Sequence, residues 1–261
     1  MTSTAFFLEL FPYAAIILGL ILGSFSNVCI HRYIKGTSIV FPPSHCPLCE
    51  HKLAWWENIP LLSYVLLRGR CRTCRGSIHW RYPLVEGISG FWALLLALKF
   101  GPSAAFAVYL FFGQVLIIIS FIDLEIFILP DMYTLPGALA ALVAAILVLG
   151  LPWSTSLIGA LAGGGAFLAL QQGYKWLKGR DGLGTGDIKL MFLLGALLGW
   201  QALPLVVFMA AVSALVVSLI YLRRASAQGL QTAVPFGPFL SLGGMLYILC
   251  GTQIWHWYLG F

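Results

Sequence analysis

Charge is what this sequence has least of. Of its 261 residues, 9% are Asp, Glu, Lys or Arg, against about a quarter in a soluble globular domain. A chain so poor in charge cannot dress a water-facing surface, which excludes an ordinary soluble fold. Nine acidic residues against fifteen basic ones leave a net charge of +6. The basic residues are scattered and no nucleic-acid-binding motif accompanies them, so nucleic acid is not an expected partner. The alternating short segments of a membrane β-barrel are missing as well. Neither Lys nor Arg precedes the first apolar run, and no small-residue cleavage site follows it. That run is therefore expected to remain a membrane helix and not to be removed as a signal peptide.

What fills the sequence instead is hydrocarbon: 60% of the residues are apolar. Apolar runs recur at 11–30, 84–100, 103–122, 133–150, 153–172, 189–200, 202–222 and 236–257. Each approaches the roughly 20 residues that cross a bilayer as a helix, the sixth being the shortest. The expectation is an all-α polytopic membrane protein with about eight transmembrane helices, with the lipid bilayer as its main solvent. With eight spans, the loops 31–83, 122–132, 173–188 and 223–235 share one side. Those loops and their edges carry fourteen of the fifteen Lys and Arg residues, Lys99 being the exception. The positive-inside rule puts them in the cytoplasm. The expected organisation is a first transmembrane helix at 1–31, a cytoplasmic loop domain at 32–82 and a seven-helix core at 83–261.

The long polar loop holds HCPLC (45–49) and RCRTC (70–74). Cys46, Cys49, Cys71 and Cys74 form two CxxC pairs separated by 21 residues. Four thiolates so spaced can fold back as two knuckles around one tetrahedral zinc ion, the gap being slightly longer than the usual window. A disulfide or redox pair is the competing reading, and a reducing cytoplasm disfavours it. About fifty residues with few core-sized apolar runs need such a staple. His45 and His51 stand close enough to substitute as ligands, although the four cysteines already complete a set. Cys29 and Cys250 lie in apolar runs and read as plain buried cysteines. Between the pairs, WWENIPLLSYVLLRG (55–69) suits packing against the membrane surface or docking of a peptide.

The acids are few enough to weigh one by one. Asp123 closes the third run, Asp131 opens the fourth and Asp187 opens the sixth. Two spans separate Asp123 from Asp187, so both return to one face. Asp131 reads most simply as a helix cap after Pro130, and Asp187 could be a cap after Gly186. Asp123 fits a structural role poorly. An acid at a helix C-terminus opposes the macrodipole, and at a bilayer edge it is also costly to desolvate. Two such carboxyls held close share one proton. The ionised one can take a proton from water, and the protonated one can polarise a peptide carbonyl and then protonate the leaving amine. That is aspartic-protease chemistry, with Asp123 and Asp187 as its candidates. The alternate glycines of GLGTGDIKL (182–190) allow a tight bend and close approach of a substrate strand. Their spacing is neither a dinucleotide fingerprint nor a phosphate loop. Lys189 could pair with an acid or with lipid headgroups, or simply reach water.

These residues resemble a known family. GSFSNVCIHR (23–32), FPPSHCPLC (41–49), IPLLSYVLLRGRCRTC (59–74) and RYPLVE (81–86) all contribute. So do IDLEIFILPDMYTLP (122–136), GLGTGDIKL (182–190) and VPFGPFLSLGG (234–244). Together they are similar to the bacterial prepilin peptidases, the bifunctional leader peptidases and N-methyltransferases. The resemblance implies that Asp123, first acid of a DxxxxxxPD element, and Asp187, of GxGxGD, are the catalytic pair. It implies basic-leader prepilins and type II secretion pseudopilins as substrates, cut just after a glycine at the cytoplasmic face of the inner membrane. It implies methylation of the new N-terminus with S-adenosylmethionine, and a zinc loop. Two departures stand out: Glu125 where the family often has Asp, and Ser26 where it often has a larger apolar residue. Glu86, at the mouth of the second run, could partner a cationic group or pair with Arg81.

Two other classes compete. A proton-coupled transporter also keeps intramembrane acids, but at the midplane and on repeats, and here the acids sit at one face. A non-catalytic zinc-loop scaffold would tolerate loss of both aspartates.

Overall fold

The computed structural model describes residues 3–41, 43–179, 182, 184–224 and 234–259. Arg180, Leu183 and residues 225–233, which include most of the expected loop 223–235, lie outside the described residues. Each of the eight apolar runs folds as helix, and among the described residues there is no β-strand beyond two isolated bridges in the cysteine loop. The helices are α1 (Ser3–Lys35), the short α2 (Leu62–Leu66) inside the loop, α3 (Arg81–Phe100), α4 (Ala104–Ile126) and α5 (Asp131–Leu147). They continue with α6 (Trp153–Lys178), α7 (Thr185–Leu198), α8 (Leu203–Arg224), α9 (Gly237–Leu246) and α10 (Thr252–Leu259). A π-helical turn at Tyr247–Gly251 joins the last two into one apolar run.

Among the described residues, six segments are long and apolar enough to cross a membrane, and α5 is a shorter apolar helix of 17 residues. Helix α7 has only 14 residues. Its brevity has a physical reason. Ile188, Leu190, Met191, Leu193, Leu194, Ala196 and Leu197 are all buried, so α7 is apolar all round and clad by protein. By contrast, only 11% of the span over Trp200–Ile220 is buried, as suits a helix facing lipid.

The chain forms two compact units, Met1–Ile118 and Ile119–Phe261, with the boundary inside α4. In the first, α1 lies along α3. The approach is close because Gly19 and Gly23 present no side chain: a Cβ at Gly23 would stand 2.8 Å from Glu86 Cα. A polar seam runs through this contact. Ser26 and Ser89 each donate to Gln114 Oε1, at 3.1 and 3.0 Å. Asn27 Nδ2 donates to the Tyr82 carbonyl at 3.0 Å. Ser26 is thus matched by a buried acceptor on α4, which removes the cost of a lone hydroxyl in an apolar interior.

In the second unit α7 is the hub, with α5, α6 and α9 packed on it and α8 on α9. Gly159 of α6 and Gly195 of α7 face one another, each pointing its absent side chain at the other's carbonyl oxygen. This is the small-residue contact that lets membrane helices touch backbone to backbone. Gly179 ends α6 in the left-handed region, at φ 68°. Gly159→Val or Gly195→Val is expected to cost at least about 3 kcal/mol of stability, because rigid backbone must move. Gly165→Ala, where a Cβ meets nothing within 4 Å, is expected to be neutral or stabilising. Thermal melts of the three purified variants check this.

Candidate functional site

Two arrangements concentrate the chemistry of the chain, one in each unit. The first is the cysteine cluster. The segment around Cys46–Cys49 and that around Cys71–Cys74 fold into two copies of one knuckle. Cys46 N–H donates to His51 O at 2.9 Å, and Cys71 N–H donates to Gly76 O at 2.8 Å. Glu50 N–H closes back on Cys46 O, and Arg75 N–H on Cys71 O. The residue after the second cysteine of each pair takes positive φ, 56° at Glu50 and 60° at Arg75. These turns bring the four sulfurs within 4.8 Å of one another.

The Cys46–Cys74 and Cys49–Cys71 sulfurs are 3.9 and 4.0 Å apart. A tetrahedron with Zn–S bonds of about 2.3 Å has edges of about 3.8 Å, so the set fits zinc. It does not fit a disulfide, whose sulfurs sit about 2 Å apart. The electrostatics agree. Backbone N–H groups of Cys74 and Thr73 pull the Cys71 thiol down to about 6. Cys49 accepts a backbone hydrogen bond at His51, yet desolvation and the sulfurs of Cys74, Cys46 and Cys71 push it up to about 12. Four thiolates cannot coexist here without a cation.

The histidines are engaged elsewhere. His45 Nδ1 lies 3.0 Å from Pro43 O, and His51 Nε2 lies 3.3 Å from Glu57 Oε2. Glu57 is itself buried and accepts the Ala54 N–H at 2.7 Å. Arg72 stacks over Trp56, 4.7 Å from its ring centroid, tying the second knuckle to the tryptophan turn. Glu86 of α3 accepts the Leu61 N–H at 2.8 Å and a hydrogen bond from Ser24. Leu61 holds φ 59° and ψ −46°, a conformation costly for a branched residue. The carboxylate of Glu86 therefore holds the loop backbone in place.

The second arrangement is built from α4, α5, α7 and α9. Asp123 lies on the last turn of α4, and its carbonyl accepts the Phe127 N–H at 2.9 Å. Phe127, at φ 57°, stops the helix. The chain then turns through Leu129 and Pro130 into α5. Asp187 sits in the first turn of α7, where Gly184 is the N-cap, three residues earlier. The Gly184 N–H donates to the Asp187 carboxylate, and the Asp187 N–H returns to the Gly184 carbonyl at 3.2 Å. Both aspartates are buried, at 5% and 8% exposure. They are close enough that the charge of Asp123 acts directly on Asp187.

A glycine that sequence reasoning gave no role completes the site. The Gly237 N–H, at the start of α9, donates to the Asp123 carboxylate. A Cβ there would stand 2.6 Å from Asp123 Oδ2 and 2.9 Å from Leu129 Cδ2. Gly186 is equally tight, with a Cβ 2.6 Å from that of Leu129. Leu129 is thus a buried wedge between the GxGxGD turn and the FGP turn. The only sequence signal for Gly237 is its place between Phe236 and Pro238. Asp131 opens α5 after its N-cap Pro130 and pairs with Lys189, Oδ1 to Nζ 2.5 Å.

Residues 17–100 match the model of the bacterial peptidase A24 N-terminal domain. Residues 110–219 match that of the type IV leader peptidase family. A prepilin leader peptidase/N-methyltransferase of Aeromonas salmonicida is 36% identical, over 92% of this chain and 91% of its own. One of Burkholderia pseudomallei is 38% identical over 92% and 86%, and one of Pseudomonas putida 34% over 92% and 91%. No solved structure matches the chain. With two family models along its length and relatives of this identity covering nearly all of it, the chain belongs to the type IV leader peptidase family.

Proposed function

We propose that Asp123 and Asp187 are the catalytic pair of this membrane-embedded leader peptidase and N-methyltransferase. The observation that carries the reading is the buried pair itself: two carboxyls, each holding a glycine N–H, in mutual electrostatic reach. One carboxylate takes a proton from a water molecule, whose oxygen attacks the scissile carbonyl carbon. The other, protonated, donates to the carbonyl oxygen as the tetrahedral intermediate forms. When the C–N bond breaks, a carboxyl proton passes to the leaving amine. The substrates are prepilins and type II secretion pseudopilins. Their basic leaders lie in the cytoplasm, and an apolar helix delivers the cut, after a glycine, to the membrane boundary. The Lys and Arg distribution supports an orientation with the cysteine loop and the pair facing the cytoplasm of the inner membrane. Methylation of the new N-terminus draws on S-adenosylmethionine, whereas cleavage needs only water and this chain's carboxyls.

The pair belongs to the helical core 83–261. The loop 32–82, hung between it and the first helix 1–31, holds zinc on Cys46, Cys49, Cys71 and Cys74. The ion supplies the positive charge that lets four thiolates share one site.

Three outcomes follow. Asp123→Asn and Asp187→Asn are each expected to lower cleavage of a model prepilin in detergent by at least about a thousandfold, with an unchanged thermal melt. A folded variant that still cuts would remove its aspartate from the reaction. Gly237→Ala is expected to remain folded yet lose about tenfold or more in kcat, because the N–H must withdraw from Asp123. Wild-type kcat would show that this contact does not matter. For the loop, one zinc per chain is expected by metal analysis, and Cys46→Ser or Cys71→Ser should abolish it. Because thiols must ionise to bind metal, protons compete with zinc, and occupancy should fall as the pH is lowered from neutral. Zinc absent from the wild type, or unchanged in both serine variants, would contradict the assignment.

A further inference from the structure

The Asp131–Lys189 pair joins the same two segments that carry the aspartates. Asp131 lies just beyond the turn that follows Asp123, and Lys189 lies two residues after Asp187 on the first turns of α7. Their charged atoms are 2.5 Å apart, with the side chains 60% and 30% exposed. Beneath the pair the same two segments meet through apolar contacts. Leu129 packs on Gly186, and a Cβ at Gly137 of α5 would stand 2.7 Å from Leu193 Cδ1 of α7. Thr134, fully buried, returns its hydroxyl to the Pro130 carbonyl at 3.3 Å and stiffens the first turn of α5.

Two like carboxyls in mutual reach push these segments apart whenever both are charged. The apolar wedge holds the segments only through short-range dispersion. An opposite-charge pair across the same seam adds a direct attraction to set against the repulsion. The two ions also sit where their helices do not explain both of them. An acid in the first turn of α5 suits the helix dipole, but a lysine near the start of α7 opposes it. Lys189 is better accounted for by what it reaches across to.

We propose that the Asp131–Lys189 ion pair is a positioning device. It holds the start of α7 against the α4–α5 turn and so sets the separation of Asp123 and Asp187. The inference rests on the reading of those two aspartates as the catalytic pair. Neither Asp131 nor Lys189 touches the scissile bond. Their effect is on how the dyad is held in the transition state, so it falls on kcat and leaves KM alone.

The test is a double-mutant cycle on the full chain in detergent, with a model prepilin as substrate. Asp131→Asn and Lys189→Met are each expected to lower kcat about tenfold or more with KM within about twofold. The double variant should fall no further than the singles, because the pair acts as one unit. Losses that multiply in the double variant, or singles that keep wild-type kcat, overturn the proposal. If the neutral variants do not fold, Asp131→Glu replaces them. A positioning pair then lowers kcat when the charge moves by one methylene, and a mere structural tie lowers only the melting temperature and overturns the proposal. Asp123→Asn and Asp187→Asn run alongside. Activity in either sinks the catalytic-pair reading itself, which is a separate failure from that of the ion pair.

Discussion

A carboxylate at the edge of a bilayer must receive from the protein what water would have given it. This constraint governs the placement of the acids in this chain. Asp123 takes the N–H of Gly237, Asp187 that of Gly184, and Glu86 that of Leu61. Asp131 takes the ammonium of Lys189. Three of the four partners are backbone amides, which carry no counter-charge. An amide can hold a carboxylate without neutralising it, and a group meant to exchange protons needs that. Of these four, the one paired with the ammonium is the exposed one, outside the buried pair.

Glycine makes the backbone solution possible. An amide can reach a buried carboxylate only if its own residue has no side chain in the way. At Gly237 the missing Cβ is what leaves room for Asp123 Oδ2. The same absence at Gly186 and Gly237 leaves a slot that Leu129 fills from the α4–α5 turn. Three segments far apart in sequence are thereby fixed around one apolar side chain. Both hydrogen-bonding amides lie at the first turn of a helix, where N–H groups lack intrahelical partners and the dipole favours negative charge.

Much of this was legible in the sequence, and the illegible part has a common cause. The eight apolar runs, the two CxxC pairs and the two aspartates announce themselves by composition, spacing or an unfavourable position. The apolar pattern alone places α7 at 189–200, and the helix runs from Thr185 to Leu198, because a glycine cap three residues before an acid starts the helix earlier than its apolar stretch. The role of Gly237 left no such trace. It lies fifty residues beyond Asp187, and its contribution is an N–H that every residue but proline possesses. The grip of Glu86 on Leu61 was hidden for the same reason: a carboxylate invites the search for a cation, and the partner is an amide. Likewise Ser26, which looks misplaced on an apolar helix, is explained only by Gln114, 88 residues away.

The helices and the cysteine loop meet the cost of folding by different means, and this bears on how each can fail. The helices draw on the bilayer and on close glycine contacts, so their weak points are steric: a methyl group at Gly195 or Gly237 strikes backbone or carboxylate. The loop 36–80 has no such resource. Its exposed Trp55, Val65 and Leu66 contribute nothing to a core, and its order rests on two knuckles, the Arg72–Trp56 stack and the anchor at Glu86. Its weak point is therefore ionisation. Four thiols that share a site without metal settle far apart in acidity, as Cys71 and Cys49 do. A cation held by the four sulfurs would remove that disparity. Loss of metal should then loosen the loop as far as Leu61, where Glu86 still holds the backbone, and leave the packing around Leu129 intact.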